Sequence, residues 1–150
     1  MKLTCTRRIQ FCAGHRVMGH ESKCAHLHGH NYVVEITAVA ELDSIGRVVD
    51  FSVLKELVGG WIETNWDHGF ILNQLDHTAK TALNYFSEIM SSKTLAFKQK
   101  IYFMPNNPTA ENMAVYLLKT ICPALVDNLP ILITKIVLHE TENCKAEATL

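Results

Sequence analysis

The chain has 150 residues, of which 48% are hydrophobic and 19% charged. This composition suits one folded domain over residues 1–150 and excludes a disordered chain. A formal net charge of -1 and an aromatic content of 8% argue against a broad basic or base-stacking surface for nucleic acid.

The five cysteines have scattered spacings and form no C-x-x-C motif, which favours free thiols in a reducing compartment over a disulfide framework. The start of the chain, MKLTCTRRIQF, has charge but no apolar run of the kind a signal peptide contains. No stretch is long and apolar enough to span a bilayer. We therefore expect a cytoplasmic protein without a membrane partner.

The first two predicted strands contain most of the candidate chemistry. Residues 2–13 alternate between two faces, and His15 continues one of them. Gly14, which precedes it, predicts a bulge or bend. After a polar connection over residues 16–27, a segment rich in β-branched residues at 28–41 predicts the second strand.

Helical and extended patterns alternate in the rest of the chain. Asp50 or Ser52 is a suitable N-cap for the first helix and Thr109 for the last. Pro123 is expected to end that last helix. The order of elements predicts an α+β fold with helices on one face of a largely antiparallel sheet. The predicted elements are a turn at 43–46, a short strand at 47–50, helices at 52–64, 76–91 and 110–122, and strands at 100–104 and 131–141.

Histidines cluster at the start of the second predicted strand. His28 and His30 are two residues apart, so their side chains point to one face in extended backbone. If the two strands pair antiparallel, His15 at the end of the first lies beside them. Three histidines with an open fourth position are typical of a catalytic zinc site. The alternative is ordinary polar strand histidines, and His20 and His26 in the connecting loop are spare ligands.

Four further side chains are candidates for acid–base chemistry or binding. A thiol near a cation can ionise near neutral pH, so Cys24 can act as base or nucleophile, or be a simple loop thiol. Asp67 and His68 pair a carboxylate with an imidazole, or cap the end of the preceding helix. Glu140 lies on the apolar face of the last strand, where a carboxylate needs a hydrogen-bonding partner unless the strand end meets solvent.

Six motifs occur in an order that resembles the 6-pyruvoyl-tetrahydropterin synthase superfamily. They are Phe11–Arg16 (FCAGHR), Cys24–Tyr32 (CAHLHGHNY), Val49–Lys55 (VDFSVLK), Asp67-His68 with Leu72-Asn73, Asn107–Glu111 (NPTAE) and His139–Thr141 (HET). The resemblance implies a tunnelling fold, in which subunits join their sheets into a barrel. It also implies a homohexamer of two trimers with active sites between subunits, and zinc bound by His15, His28 and His30.

The resemblance implies further roles within these motifs. Cys24 would be the proton acceptor, with the Asp67-His68 pair as its relay. Glu140 would grip the amino and ring N–H groups of a pterin, which suits the bidentate acceptor geometry of a carboxylate. Thr109 and Glu111 match a motif near the pterin pocket, although helix capping explains Thr109 equally well.

One spacing selects a branch of the superfamily. Three residues separate Cys24 from His28, which is similar to the bacterial 6-carboxy-tetrahydropterin synthases of queuosine biosynthesis. The pyruvoyl-forming animal enzymes have a longer gap. Two features depart from this branch: a longer segment at 74–104, which we expect to contain a helix and an edge strand, and Gly69 after the Asp67-His68 pair.

This branch implies a carbon–carbon lyase that converts 7,8-dihydroneopterin triphosphate into 6-carboxy-tetrahydropterin, acetaldehyde and triphosphate. The ring is reduced at the expense of its own side chain, so no nicotinamide or flavin is required. Arg16, Lys23 or a neighbouring subunit would bind the triphosphate. The alternatives are triphosphate elimination without cleavage, as in 6-pyruvoyl-tetrahydropterin synthase, aldol cleavage of dihydroneopterin, and a non-catalytic pterin- or zinc-binding relative.

Overall fold

A computed structural model describes residues 3–93 and 97–150. The described residues contain six strands: β1 (Thr4–His15), β2 (His28–Val39), β3 (Gly69–Asn73), β4 (Ile101–Met104), β5 (Leu132–His139) and β6 (Lys145–Thr149). They form one sheet in the order β4-β3-β1-β2-β5-β6. The pairs β1–β2, β2–β5 and β5–β6 are antiparallel, whereas β3 runs parallel to β1 and β4. The predicted α+β class with a largely antiparallel sheet is confirmed.

Three helices, two of them interrupted by a π segment, pack with this sheet. The first covers residues 51–65 as Phe51–Leu54, the π segment Lys55–Gly59, and Gly60–Asn65; the second is His77–Ser91; the third covers residues 110–126 as Ala110–Tyr116, the π segment Leu117–Ile121, and Cys122–Val126. Asp50 and Thr109 are the N-caps of the first and third helices. Within the described residues, no helix is long and apolar enough to cross a membrane.

The predicted end of the third helix at Pro123 is wrong. Pro123 lies in the first turn of the segment that follows the π segment, and proline is tolerated in a first turn because its missing N–H needs no partner there. The helix therefore continues to Val126 and buries that side chain.

The main core lies between the sheet and the helices at 51–65 and 110–126. Alternation along β1 directs Phe11, Ala13 and His15 to the buried side, which places a histidine at the edge of the core. The sheet contributes Val34, Ile36, Ile136 and Leu138, and the helices contribute Leu54, Val58, Ile62, Met113, Leu117 and Leu118. A smaller cluster joins Leu72 of β3 to Ala79 and Leu83 of the second helix.

The expected segment at 74–104 contains a helix and an edge strand, His77–Ser91 and β4. Residues 94–96 of this segment lie outside the described residues, as does Lys2 at the start of the first predicted strand. The side chain of Asp76 caps the helix by accepting a hydrogen bond from the Ala79 amide. Because β4 pairs with β3, the segment extends the sheet beyond β3.

The predicted strand at 47–50 is wrong, since Val48 and Val49 form a bend and these four residues pair with no strand among the described residues. The Asp43 carboxylate accepts hydrogen bonds from the amides of Ile45 and Arg47, and its second oxygen pairs with the Arg47 guanidinium. Such local side-chain bonds compete with strand pairing for the backbone. Gly14 does not break β1 either, because pairing with β2 continues through it.

Candidate metal centre and active site

The antiparallel pairing of β1 and β2 brings three histidines together. His15 pairs with His28 across the strands, and Ala13 pairs with His30. One ring nitrogen of each histidine lies within 4.8 Å of the others. His15 is 1% exposed, so its imidazole reaches the cluster from the core side. The convergence expected from the sequence is therefore present.

The hydrogen bonds of two rings determine where their protons lie. His15 Nδ1 is 2.8 Å from the carbonyl oxygen of Pro108, and His28 Nδ1 is 2.7 Å from that of His26. A carbonyl only accepts, so each neutral ring carries its proton on Nδ1 and a lone pair on Nε2. The two Nε2 atoms are 3.1 Å apart. Two lone pairs that face each other suit a shared cation, and an outer carbonyl on each ring is typical of metal-binding histidines.

His30 completes this donor set. Its Nε2 atom is buried, has no hydrogen-bond partner among the described residues, and lies 3.6 Å from a carboxylate oxygen of Glu140. Burial lowers the pKa of both His15 and His30, and His28 adds to this effect while Glu140 opposes it. A lowered pKa keeps the imidazoles neutral, which is the form that binds a metal. Three neutral imidazoles fit a zinc ion that keeps one position open.

A cavity of about 220 Å³ lies beside the triad. Its lining includes His15 and five other residues singled out from the sequence: His20, Cys24, Thr109, Glu111 and Glu140. Cys24 belongs to a short 3-10 turn, Lys23–Ala25, and is partly exposed. The Thr109 side chain accepts a hydrogen bond from the Asn112 amide, so its capping role is confirmed.

The turn between β5 and β6 fixes Glu140 at this cavity. The amides of Glu140 and Thr141 both donate to the carbonyl of Cys144, at 3.0 and 3.3 Å. The Thr141 hydroxyl accepts in return from the Cys144 amide at 3.1 Å. Cys144 therefore also lines the cavity, a position that sequence reasoning did not single out. The only signal was its closeness to the HET motif, because β6 was not predicted.

The Asp67-His68 pair lies outside the lining of the cavity that contains Cys24. His68 Nδ1 is 2.8 Å from one carboxylate oxygen of Asp67, and the other oxygen accepts from the Cys12 amide at 2.8 Å. Partial burial opposes ionisation, but the Cys12 amide and His68 lower the pKa of Asp67 overall. A carboxylate is therefore held against the imidazole, which can fix its orientation.

His68 is presented to solvent rather than to Cys24. Its side chain is 79% exposed, and its φ of 55° lies in the left-handed region. It lines a separate cavity of about 440 Å³ that also includes Cys12, Gly14 and His30. Within one chain, the structure does not bring His68 into the cavity that contains Cys24.

Arg16, one expected triphosphate ligand, is already engaged. Its guanidinium forms hydrogen bonds of 2.5 and 3.2 Å to the buried carboxylate of Asp76, and a longer one of 3.4 Å to the carbonyl of Ala25. Arg16 thus connects the turn that contains Cys24 to the start of the second helix. His20 Nδ1 accepts from the Ser22 amide and is not a member of the metal cluster.

The sequence profile of the family described as 6-pyruvoyl tetrahydropterin synthase matches residues 4–149. The chain belongs to this family. Proteins named 6-carboxy-5,6,7,8-tetrahydropterin synthase from Rickettsia bellii and Rickettsia typhi are 45% and 46% identical to it, over 146 and 147 residues. Each alignment covers 97% of this chain and 99% of the relative.

Solved structures have the same fold. An uncharacterised protein from Wolinella succinogenes matches with a TM-score of 0.82 at 22% identity, covering 99% of this chain and 98% of that chain. The 6-pyruvoyl tetrahydropterin synthase of Caenorhabditis elegans matches with a TM-score of 0.66 at 23% identity, covering 100% and 96%. The predicted tunnelling fold of the 6-pyruvoyl tetrahydropterin synthase family is confirmed for the single chain, and the joining of subunit sheets into a barrel stays a prediction.

Proposed function

We propose that this protein converts 7,8-dihydroneopterin triphosphate and one water molecule into 6-carboxy-5,6,7,8-tetrahydropterin, acetaldehyde and triphosphate, as a step of queuosine biosynthesis. The observation that supports it most is the single cavity lined by His15, Cys24 and Glu140. The rickettsial relatives named for this product align over nearly the whole chain. The five cysteines are free thiols, in line with a reducing cytoplasm.

We further propose zinc as the metal, held by His15, His28 and His30. The outer carbonyls on two of the rings and the unpartnered Nε2 atom of the third support this assignment. When bound, zinc would supply a Lewis acid for the oxygens of the substrate side chain. Among the described residues the histidine group has three members and lies beside a cavity, which suits a catalytic site in which zinc would keep one position for the substrate.

The cavity residues have distinct tasks in this proposal. The Glu140 carboxylate accepts hydrogen bonds from the amino and ring N–H groups of the pterin, and the Cys144 carbonyl holds its backbone in place. With the ring held there, the side chain of the substrate extends towards the triad. The Cys24 thiolate removes a carbon-bound proton that the adjacent ring imine makes acidic. Thr109 and Glu111, at the start of the third helix, complete the wall of the pterin pocket.

His68, oriented by Asp67, transfers protons at the side-chain oxygens of the substrate. Because His68 is exposed and lines a different cavity from Cys24, we propose that a neighbouring subunit supplies it. The assembly would be a homohexamer of two trimers with active sites between subunits. The exposed imidazole of each chain would then complete the cavity of the next.

A second candidate function is that of 6-pyruvoyl-tetrahydropterin synthase, in which triphosphate is eliminated without carbon–carbon cleavage. The family description favours it. The same metal and base would serve, so the two reactions differ in the fate of the side chain and not in the ligand set.

The test is incubation of purified, zinc-loaded protein with 7,8-dihydroneopterin triphosphate, followed by mass analysis and an acetaldehyde assay. We expect the carboxy product and one acetaldehyde per turnover. A pyruvoyl product without acetaldehyde would support the second candidate. If the substrate is bound but recovered unchanged, the protein is a non-catalytic relative. A Cys24→Ala sample provides the background rate.

A further inference from the structure

We propose that Lys100 is a positioning residue that holds the Asp67-His68 turn in its active shape, and that the long segment at 74–104 serves to deliver it. Its effect on catalysis rests on the proposed function, since only that function gives His68 a proton-transfer role. The contacts themselves do not depend on it.

The first argument is the peptide group between Asp67 and His68, which is bound at both ends. The Lys100 ammonium donates to the Asp67 carbonyl at 2.7 Å, and the His68 amide donates to the Cys12 carbonyl at 2.7 Å. These two bonds fix the plane of the peptide. This matters because a φ of 55° is costly for a residue other than glycine and persists only where its surroundings enforce it.

The second argument is the end of the first helix. The same ammonium donates to the carbonyl of Glu63 at 2.9 Å. Carbonyls in a last helical turn lack intrahelical partners, and a cation there complements the negative end of the helix dipole. Lys100 therefore joins the helix end to the turn that presents His68. Its positive charge also helps to keep the nearby Asp67 carboxylate ionised.

The third argument is the absence of a side chain at Gly69. A Cβ atom there would lie 2.8 Å from Cδ of Lys100, which is closer than such atoms approach each other, and 3.0 Å from Cγ. The φ of Gly69 is not positive, so the position requires space rather than conformational freedom. The lysine stem thus crosses directly over the residue that follows His68.

The segment at 74–104 explains how Lys100 reaches the Asp67-His68 turn. Lys100 directly precedes β4, and Phe70 of β3 pairs with Ile101 of β4. The Phe70 amide also donates to the Lys100 carbonyl at 3.0 Å. The edge strand therefore places Lys100 beneath the turn. Both departures from the related branch, the long segment and Gly69, become parts of one arrangement.

The experiment compares Lys100→Met, which keeps the stem and removes the charge, with Lys98→Met, the same change at an exposed site two residues away. In Lys100→Met we expect faster hydrogen exchange at the His68 and Gly69 amides. We expect kcat to fall roughly ten- to a hundredfold, because small displacements of a catalytic group are this costly. Bound zinc and KM should stay unchanged, since Lys100 belongs neither to the histidine cluster nor to the lining of the cavity that contains Glu140. Lys100→Arg should recover part of kcat, and Lys98→Met should match the native protein.

The proposal would be overturned if Lys100→Met had the same hydrogen exchange at the His68 and Gly69 amides, and the same kcat, as the native protein. If the unaltered protein produces no pterin product, the proposed function fails, and the exchange measurement alone decides the role of Lys100. If the Lys100→Met chain does not fold, a second pair of variants still tests the proposal. Gly69→Ala should speed exchange at His68 by displacing the stem, and it should have less effect in a Lys100→Ala background. Equal effects in both backgrounds would overturn the proposal as well.

Discussion

Two regions of this molecule carry acid–base groups, and they are built differently. The first, which we call the triad cavity, is lined by His15, Cys24 and Glu140 and rests on paired strands. The second is the Asp67-His68 turn, which lies after the end of a helix and exposes its imidazole to solvent. The sheet itself positions the three histidines beside the first region. In the second region, the peptide group between Asp67 and His68 and the Asp67 carboxylate are held by contacts with distant parts of the chain.

This difference indicates which region tolerates change. The triad cavity inherits its geometry from the register of β1 and β2, which a one-residue slip would destroy together with the core. We expect the turn to shift without unfolding the protein, because His68 is exposed and the supports of the turn are individual hydrogen bonds. We therefore expect the loss of a triad histidine, of Cys24 or of His68 to abolish function, and the loss of a side chain that supports the turn to reduce function only in part.

The largest effect is expected from His28→Ala, which removes one metal ligand. Bound zinc, measured by elemental analysis, should be lost, and turnover should fall by more than the roughly 100-fold that loss of a supporting group costs. His26→Ala is the matched control, because His26 supports His28 through its backbone carbonyl and should keep its zinc. Zinc retained in His28→Ala would refute the metal centre.

Cys24→Ala tests the base of the triad cavity. We expect kcat to fall roughly 10²- to 10⁴-fold while zinc content stays unchanged, because Cys24 is not a member of the metal cluster. Cys12→Ala removes an exposed thiol near the Asp67-His68 turn and should have a small effect, because the contacts of Cys12 to that turn come from its backbone. Equal losses of kcat in both variants would show that Cys24 is not the base.

Mixing subunits tests whether the two regions meet between chains. Cys24→Ala and His68→Ala should each be nearly inactive alone. When they are co-expressed and purified as mixed oligomers, roughly a quarter of the sites should combine both native residues and recover activity. Co-expression of Cys24→Ala with Glu140→Ala, two residues of one cavity, should recover none. The absence of recovery in the first mixture would place both groups within a single chain.

The same two regions differ in how far the sequence predicted them. Strand alternation and the H-x-H spacing predicted the triad, because side-chain direction along paired strands follows directly from sequence. The partners of the turn were not predictable. β3 is short, apolar and without alternation. At the other edge of the sheet, beside the triad cavity, β6 was also missed, because its alanines and charged residues have low strand propensity and it forms by pairing with β5. The position of Lys100 beneath His68 depends on β4 pairing with β3, which no local pattern indicates.

Thr109→Ala separates capping from pterin binding within the triad cavity. Loss of the hydrogen bond from the Asn112 amide should lower the free energy of unfolding by about 1 kcal/mol, measured by urea denaturation. Thr109→Ser keeps the hydroxyl and should be close to native. If capping is the main role of Thr109, KM changes little in either variant. A KM that rises severalfold in Thr109→Ala without loss of stability would instead assign it to the substrate.

The smallest effect on the free energy of unfolding is expected from Asp67→Asn, and this effect depends on pH. The folded protein lowers the pKa of Asp67, so the ionised carboxylate stabilises the fold at neutral pH, and this contribution is lost as the pH falls below the ordinary value of about 3.9. Because the side chain is partly exposed, the difference in unfolding free energy from the native protein should not exceed about 1 kcal/mol at pH 7. It should shrink in urea titrations towards pH 3. A difference that stays constant from pH 7 to 3 would mean that the hydrogen bonds of Asp67, and not its charge, stabilise the turn.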